Sequence, residues 1–154
     1  MISNFIFCFF GALLLPASNC YVVGKDTQIQ QTYSLIIKVY SEKGKNYIDA
    51  DYIQYLTGDK AIEEAKKNGE ADVFIVNGKK EYAIPGDYFI LNQSKKIRKL
   101  ELSNIIKFEL VNNNDLRNPS EINTFKYFKK NYDGTYKLII EGKKVVKIEE
   151  IFIP

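Results

Sequence analysis

Asp49 and Asp51 stand two residues apart in a stretch of alternating polarity. On a strand both carboxylates would project from one face, roughly 7 Å apart. That spacing could begin a calcium site, or supply the acid and base of glycoside cleavage. It also describes a solvated strand face, with Ile48, Ala50 and Tyr52 turned inward between the acids. The further oxygen ligands and turn glycine of a calcium loop do not follow at close spacing. Asp49 and Asp51 are therefore the weak metal candidates. The basic cluster Lys95, Lys96, Arg98 and Lys99 could dock anionic lipid head groups, an anionic envelope polymer or nucleic acid. Alternatively it is a charged turn guarding an edge strand. Tyrosines such as Tyr33, Tyr52 and Tyr88 suit either sugar stacking or half-buried core positions.

The chain has no histidine, which removes His-based triads, His-ligated zinc and imidazole bases. It also lacks Ser-x-x-Lys, G-x-S-x-G, a P-loop, G-x-G-x-x-G and any paired-cysteine metal motif. No nucleophile stands with its base, so the expectation is a protein that is not an enzyme and needs no cofactor. The net charge of +3 rests almost wholly on lysine, since Arg98 and Arg117 are the two arginines. Lysine is a hydrated point charge, poorly suited to bidentate phosphate recognition, and a nucleic-acid partner is not expected.

Residues 1–24 carry no charged side chain. Residues 5–15 are apolar apart from Gly11, too short to span a bilayer but suited to the core of a signal peptide. Pro16 breaks the run, and small residues follow. Both cysteines, Cys8 and Cys20, lie here. The segment Leu15-Pro16-Ala17-Ser18-Asn19-Cys20 resembles the lipobox of bacterial lipoproteins, which implies diacylation of Cys20. Plain secretion with cleavage near Ser18, or an uncleaved anchor, are the other readings. Cleavage before Cys20 leaves a domain with no internal disulfide, whose core must hold unaided. Residues 1–19 are thus read as a signal peptide, 20–32 as a polar tether and 33–154 as one domain. With 45% hydrophobic and 27% charged residues, that length suits a single globular unit.

The elements that must position these residues follow from pattern. Residues 33–40 alternate, with Leu35, Ile37 and Val39 expected on one face and Ser34, Ile36 and Lys38 on the other; residues 47–56 complete a hairpin. Thr57-Gly58-Asp59 opens a helix through Asn68, closed by Gly69, with Ala61, Ile62 and Ala65 as its apolar stripe and Lys60/Glu64 and Glu63/Lys67 as charge pairs. Asn77-Gly78 marks a hairpin between residues 73–76 and 79–84. After Pro85-Gly86-Asp87, residues 88–91 form the densest apolar run past the leader and read as a central strand buried on both faces. Residues 97–102 and 105–111 read as two further strands. Asn118-Pro119-Ser120-Glu121 starts a second helix, with Ile122, Phe125, Phe128 and Tyr132 on its buried face. Residues 136–140 and 144–153 make a last hairpin. The fold class is α+β, mainly antiparallel β: a small, partly open OB-like barrel with two inserted helices, or alternatively a curled sheet with both helices on one side.

The motifs Tyr55-Leu56-Thr57-Gly58-Asp59-Lys60-Ala61, Lys67-Asn68-Gly69-Glu70 and Pro85-Gly86-Asp87-Tyr88-Phe89-Ile90-Leu91-Asn92 resemble an uncharacterised family of exported bacterial domains. In that family a "YLTGxxA" helix start precedes a "PxDYxI" strand. The resemblance, over about residues 33–154, implies export and one compact domain and carries no activity or site residues. The expected function is a lipid-anchored envelope protein of the cell or outer membrane, or else a secreted one. It would act as a non-enzymatic binding module, its partners the membrane and an envelope protein or polymer. The alternatives are a carboxylate-only enzyme on an envelope glycan, using Asp49 and Asp51, or a purely structural accessory domain.

Overall fold

The computed structural model describes residues 28–111 and 123–153. The leader, Cys20 and the expected start of the second helix lie outside the described residues. The strands are β1 (Ile29–Glu42), β2 (Lys45–Thr57), β3 (Asp72–Val76), β4 (Lys79–Ala83), β5 (Tyr88–Leu91), β6 (Ile97–Glu109), β7 (Thr135–Glu141) and β8 (Lys144–Ile151), with helices α1 (Gly58–Asn68) and α2 (Phe125–Phe128).

Five of these strands close into a barrel in the order β1-β2-β6-β8-β7, with β7 returning to β1. All neighbours are antiparallel except β6 and β8, which run parallel. Closure depends on the length of β1. Its first half pairs β7 from Ile29 to Leu35, and Tyr33 onward pairs β2. A β-bulge between Ile36 and Lys38 lets one strand serve both neighbours by bending it. The bulge corrects the expected face assignment. Ser34, Ile36 and Val39 are buried, whereas Ile37 is 50% exposed beside Lys38. Strict alternation misplaces residues 34–37 because the extra residue resets the period.

Inside the barrel lie Ile36, Val39, Ile48, Ala50, Leu102, Phe108, Tyr136, Leu138, Ile140, Val145 and Ile148, closed off by Phe128 of α2. This is a small α+β fold of mainly antiparallel β, an OB-like barrel. Residues 97–109 form one continuous strand rather than two, with an irregularity against β8 between Leu102 and Lys107. The strand β1 also begins within the stretch expected to be tether.

Between β2 and β6 the chain leaves the barrel to build α1, the β3–β4 hairpin and β5. Ala61 and Ala65 bury the α1 stripe against Ile84, with Leu56, Ile62 and Phe89 around them. Gly69 ends α1 in the left-handed region, φ 74°, its N–H reaching the Ala65 and Lys66 carbonyls. The charge pair on α1 is Lys67–Glu64, one residue closer than expected, at 2.6 Å. Thr57 occupies the N-cap position with no side-chain cap bond.

The run Tyr88–Leu91 is not central. It is an edge strand that among the described residues pairs only the last four residues of β2, 54–57, and each of its residues is half-buried. Its apolarity comes from covering α1's small cluster on one side, which a buried central position would mimic in sequence. Among the described residues no helix is long and apolar enough to cross a membrane.

Candidate functional site

The face of β2 turned away from the barrel interior carries Tyr47, Asp49, Asp51, Ile53 and Tyr55 in alternation, with Asp51 and Ile53 buried between the two tyrosines. Asp49 and Asp51 do share that face, but they enter different environments. Tyr40 donates its hydroxyl to Asp49 Oδ1 at 3.1 Å. Asp51 is 5% exposed and takes a hydrogen bond from Asn92 Nδ2 at 2.8 Å, Asn92 following directly on β5. Asp51 Oδ1 and Asn92 Oδ1 are buried with no hydrogen-bond partner. Among the described residues no group of three His, Cys, Asp or Glu side chains is placed to hold a metal.

The basic cluster is split by the pleat of β6. Lys99 pairs across from Asp49 on the outer face, while Arg98 lies opposite Ala50 on the inner one. There the Arg98 guanidinium stands 4.2 Å from the Tyr52 ring and donates to the Lys96 carbonyl at 2.7 Å. Burial pushes the Tyr52 hydroxyl above its ordinary pKa, with Arg98 pulling the other way. Lys95 and Lys96 are exposed in the approach to β6.

What sequence reasoning missed is where the tyrosines gather. Tyr40 and Tyr47 face each other across β1 and β2, their rings stacked at 5.7 Å and 25°. Lys99 Nζ sits 4.3 Å from the Tyr47 ring and 5.4 Å from the Tyr40 ring, and Lys38 Nζ lies 5.3 Å from Tyr40. Lys99 is bound to Glu42, and Glu101 receives Lys45 at 3.0 Å and Lys144 at 2.9 Å. Those bonds raise the pKa of Lys45 and Lys99 and lower that of Glu101, so these groups stay charged and mutually neutralised at neutral pH. Desolvation, then the bond to Asp49, raises that of Tyr40.

At the other end of β2 a second group forms. Tyr55 stacks on Tyr88 at 5.6 Å and 13°, and Tyr33 lies 5.4 Å from Tyr55. The only signal for either group is cross-strand pairing, which needs the register of β1 and β5 against β2. Of the three tyrosines singled out from sequence, Tyr33 and Tyr88 join this group and Tyr52 packs against the core.

A separate cleft of about 330 Å³ opens at Asp133, Gly134 and Glu150, with Leu35 and Ile151 among its apolar walls. Glu150 accepts the Val111 N–H at 2.8 Å. Burial raises its carboxyl pKa; the Val111 bond opposes this and Asp133 adds to it. A carboxyl raised on folding binds more protons in the native than in the unfolded state between the two pKa values. Its contribution to stability is complete below the ordinary value of 4.5 and is lost as pH rises through the folded pKa. Glu150→Gln keeps the acceptor for Val111 and removes the half-buried charge. Thermal melts from pH 4 to 7 will show the variant more stable at pH 7 and equal to wild type at pH 4; a variant less stable at pH 7 refutes this.

The architecture is that of a small OB-like barrel. No family model, no curated protein and no solved structure matches the chain.

Proposed function

We propose that this protein is an exported, lipid-anchored envelope component whose barrel is a non-enzymatic module binding an uncharged or zwitterionic envelope glycan along β2. The observation that carries the reading is the pair of tyrosine groups on one strand face. Tyr47 and Tyr55 are eight residues apart, about 26 Å along an extended strand. Two stacking platforms at that separation suit a polymer rather than a small molecule.

The electrostatics select among polymers. Affinity for a polyanion comes from free cations that displace counterions. Lys45, Lys99 and Lys144 are each already bonded to a carboxylate on this face. A nucleic acid would have to break those pairs, whereas a sugar hydroxyl can join them. The enzyme alternative is weaker, because Asp49 and Asp51 do not converge on one space and Asp51 is covered.

Co-sedimentation with purified envelope glycan tests the reading. Tyr47→Ala and Tyr55→Ala will each weaken binding about tenfold, roughly 1.4 kcal/mol, and the double variant will lose more than either. Glycan retention equal in wild type and the double variant, with matching melts, refutes it.

A further inference from the structure

We infer that β3 is a self-pairing edge: two copies of this chain join their β3 strands antiparallel into one four-stranded sheet, β4-β3-β3-β4. Four consecutive side chains on β3 are open to solvent, Val73 at 55%, Phe74 at 44%, Ile75 at 72% and Val76 at 44%. Such a run is not a solvated surface, and it lies on a ribbon that pairs with no other described strand. Its two edges are unlike. The β4 edge carries Lys79, Lys80 and Glu81, the charges by which sheet edges resist further pairing. The β3 edge has only Asp72 at its end and is otherwise unguarded.

The occupant follows from what both faces need. Phe74 and Val76 project to one face of the ribbon, Val73 and Ile75 to the other. A partner lying on one face would leave the other pair exposed. A bilayer could surround both, but it would strand the open backbone groups of the β3 edge in a medium without hydrogen-bond partners. A second β3 satisfies those groups and sets apolar side chains beside apolar side chains on both faces at once. Pairing centred on Phe74 uses all five residues of each strand. It places Phe74 opposite Phe74, Val73 opposite Ile75, and the charged β4 strands at the outer rims.

The test is disulfide capture in the full-length chain, purified in detergent with Cys8→Ser and Cys20→Ser to remove the native thiols. In the paired sheet two Phe74 positions have Cα atoms about 5 Å apart, within disulfide reach. Two Glu81 positions are three strand spacings apart, about 14 Å, and out of reach. Under mild oxidation Phe74→Cys will run mainly as a dimer on a non-reducing gel, and Glu81→Cys will stay monomeric. Adding Ile75→Lys to Phe74→Cys will cut the dimer at least tenfold while leaving the melt unchanged. A monomeric Phe74→Cys, equal cross-linking of both variants, or a dimer that survives Ile75→Lys overturns the proposal. So does capture of a different polypeptide in place of a second copy, when Phe74→Cys is oxidised in cells.

Discussion

Phe128→Ala will lower the melting temperature by roughly 10–20 °C, the shift expected for a loss of about 3–5 kcal/mol in a domain of this size. Phe128 is fully buried. Its ring meets Phe108 of β6 at 5.2 Å, Tyr136 of β7 edge-on at 5.3 Å and Tyr132 at 6.4 Å. It arrives there on a helix of a single turn, too short to be stable alone. Thr124 caps that turn by accepting the Tyr127 N–H at 3.2 Å, but the ring in the barrel mouth holds it in place. Truncation therefore opens a cavity and frees the turn together. No disulfide can compensate, since both cysteines precede the described domain. Phe128→Leu fills most of the volume and will cost less than half as much. Calorimetric or circular-dichroism melts of the three proteins check the order, and a Phe128→Ala melt within 3 °C of wild type would sink it.

Local chemistry made much of this fold legible. The Asn77-Gly78 turn has φ of 51° and 76°, both in the left-handed region that a tight hairpin demands, so two residues announced β3 and β4. Gly69 likewise ended α1 where it was expected. The barrel class followed from short alternating strands with tight turns. What the residues leave unmarked is the detail of pairing at a distance. The bulge at Ile36 and Lys38 has no marker in residue type, and it exists because β1 must bend between β2 and β7. Tyr88–Leu91 looked central because apolarity reports burial, not position in a sheet. The candidate site shows the same division. Asp49 and Asp51 were placed on one face correctly by alternation. That Asn92 would cover Asp51, while Tyr40 took Asp49, depends on segments up to 41 residues away. The split of Arg98 from Lys99 follows from alternation along residues 97–102, whose pattern is that of a strand.

Cys20→Ala will move the mature protein from the membrane fraction to the soluble exported fraction, a change in partition ratio of at least a hundredfold. Each buried acyl methylene contributes about 0.8 kcal/mol; a single chain binds membranes marginally, and two hold the protein there. Among the described residues no helix is long and apolar enough to cross a membrane, and a mild lysine excess gives only an attachment that a high-salt wash removes. In a protein so anchored, the geometry of β1 would orient the domain. The strand begins at Ile29, nine residues past Cys20, so an anchor at Cys20 would lie within about 32 Å of it. Fourteen residues later β1 turns back at Lys43-Gly44, beside the Tyr40–Tyr47 stack. In a protein anchored at Cys20 the first residues of β1 would lie on the bilayer side with Tyr33 and its neighbours, and the Tyr40–Tyr47 stack at the other end would face away from it. A polymer running outward from the membrane would meet Tyr55 first and Tyr47 second. Fractionation of exported wild type and Cys20→Ala after a high-salt wash decides the point. Equal solubility of the two removes the anchor, and with it this orientation, while leaving the glycan co-sedimentation of the soluble domain to stand or fall separately.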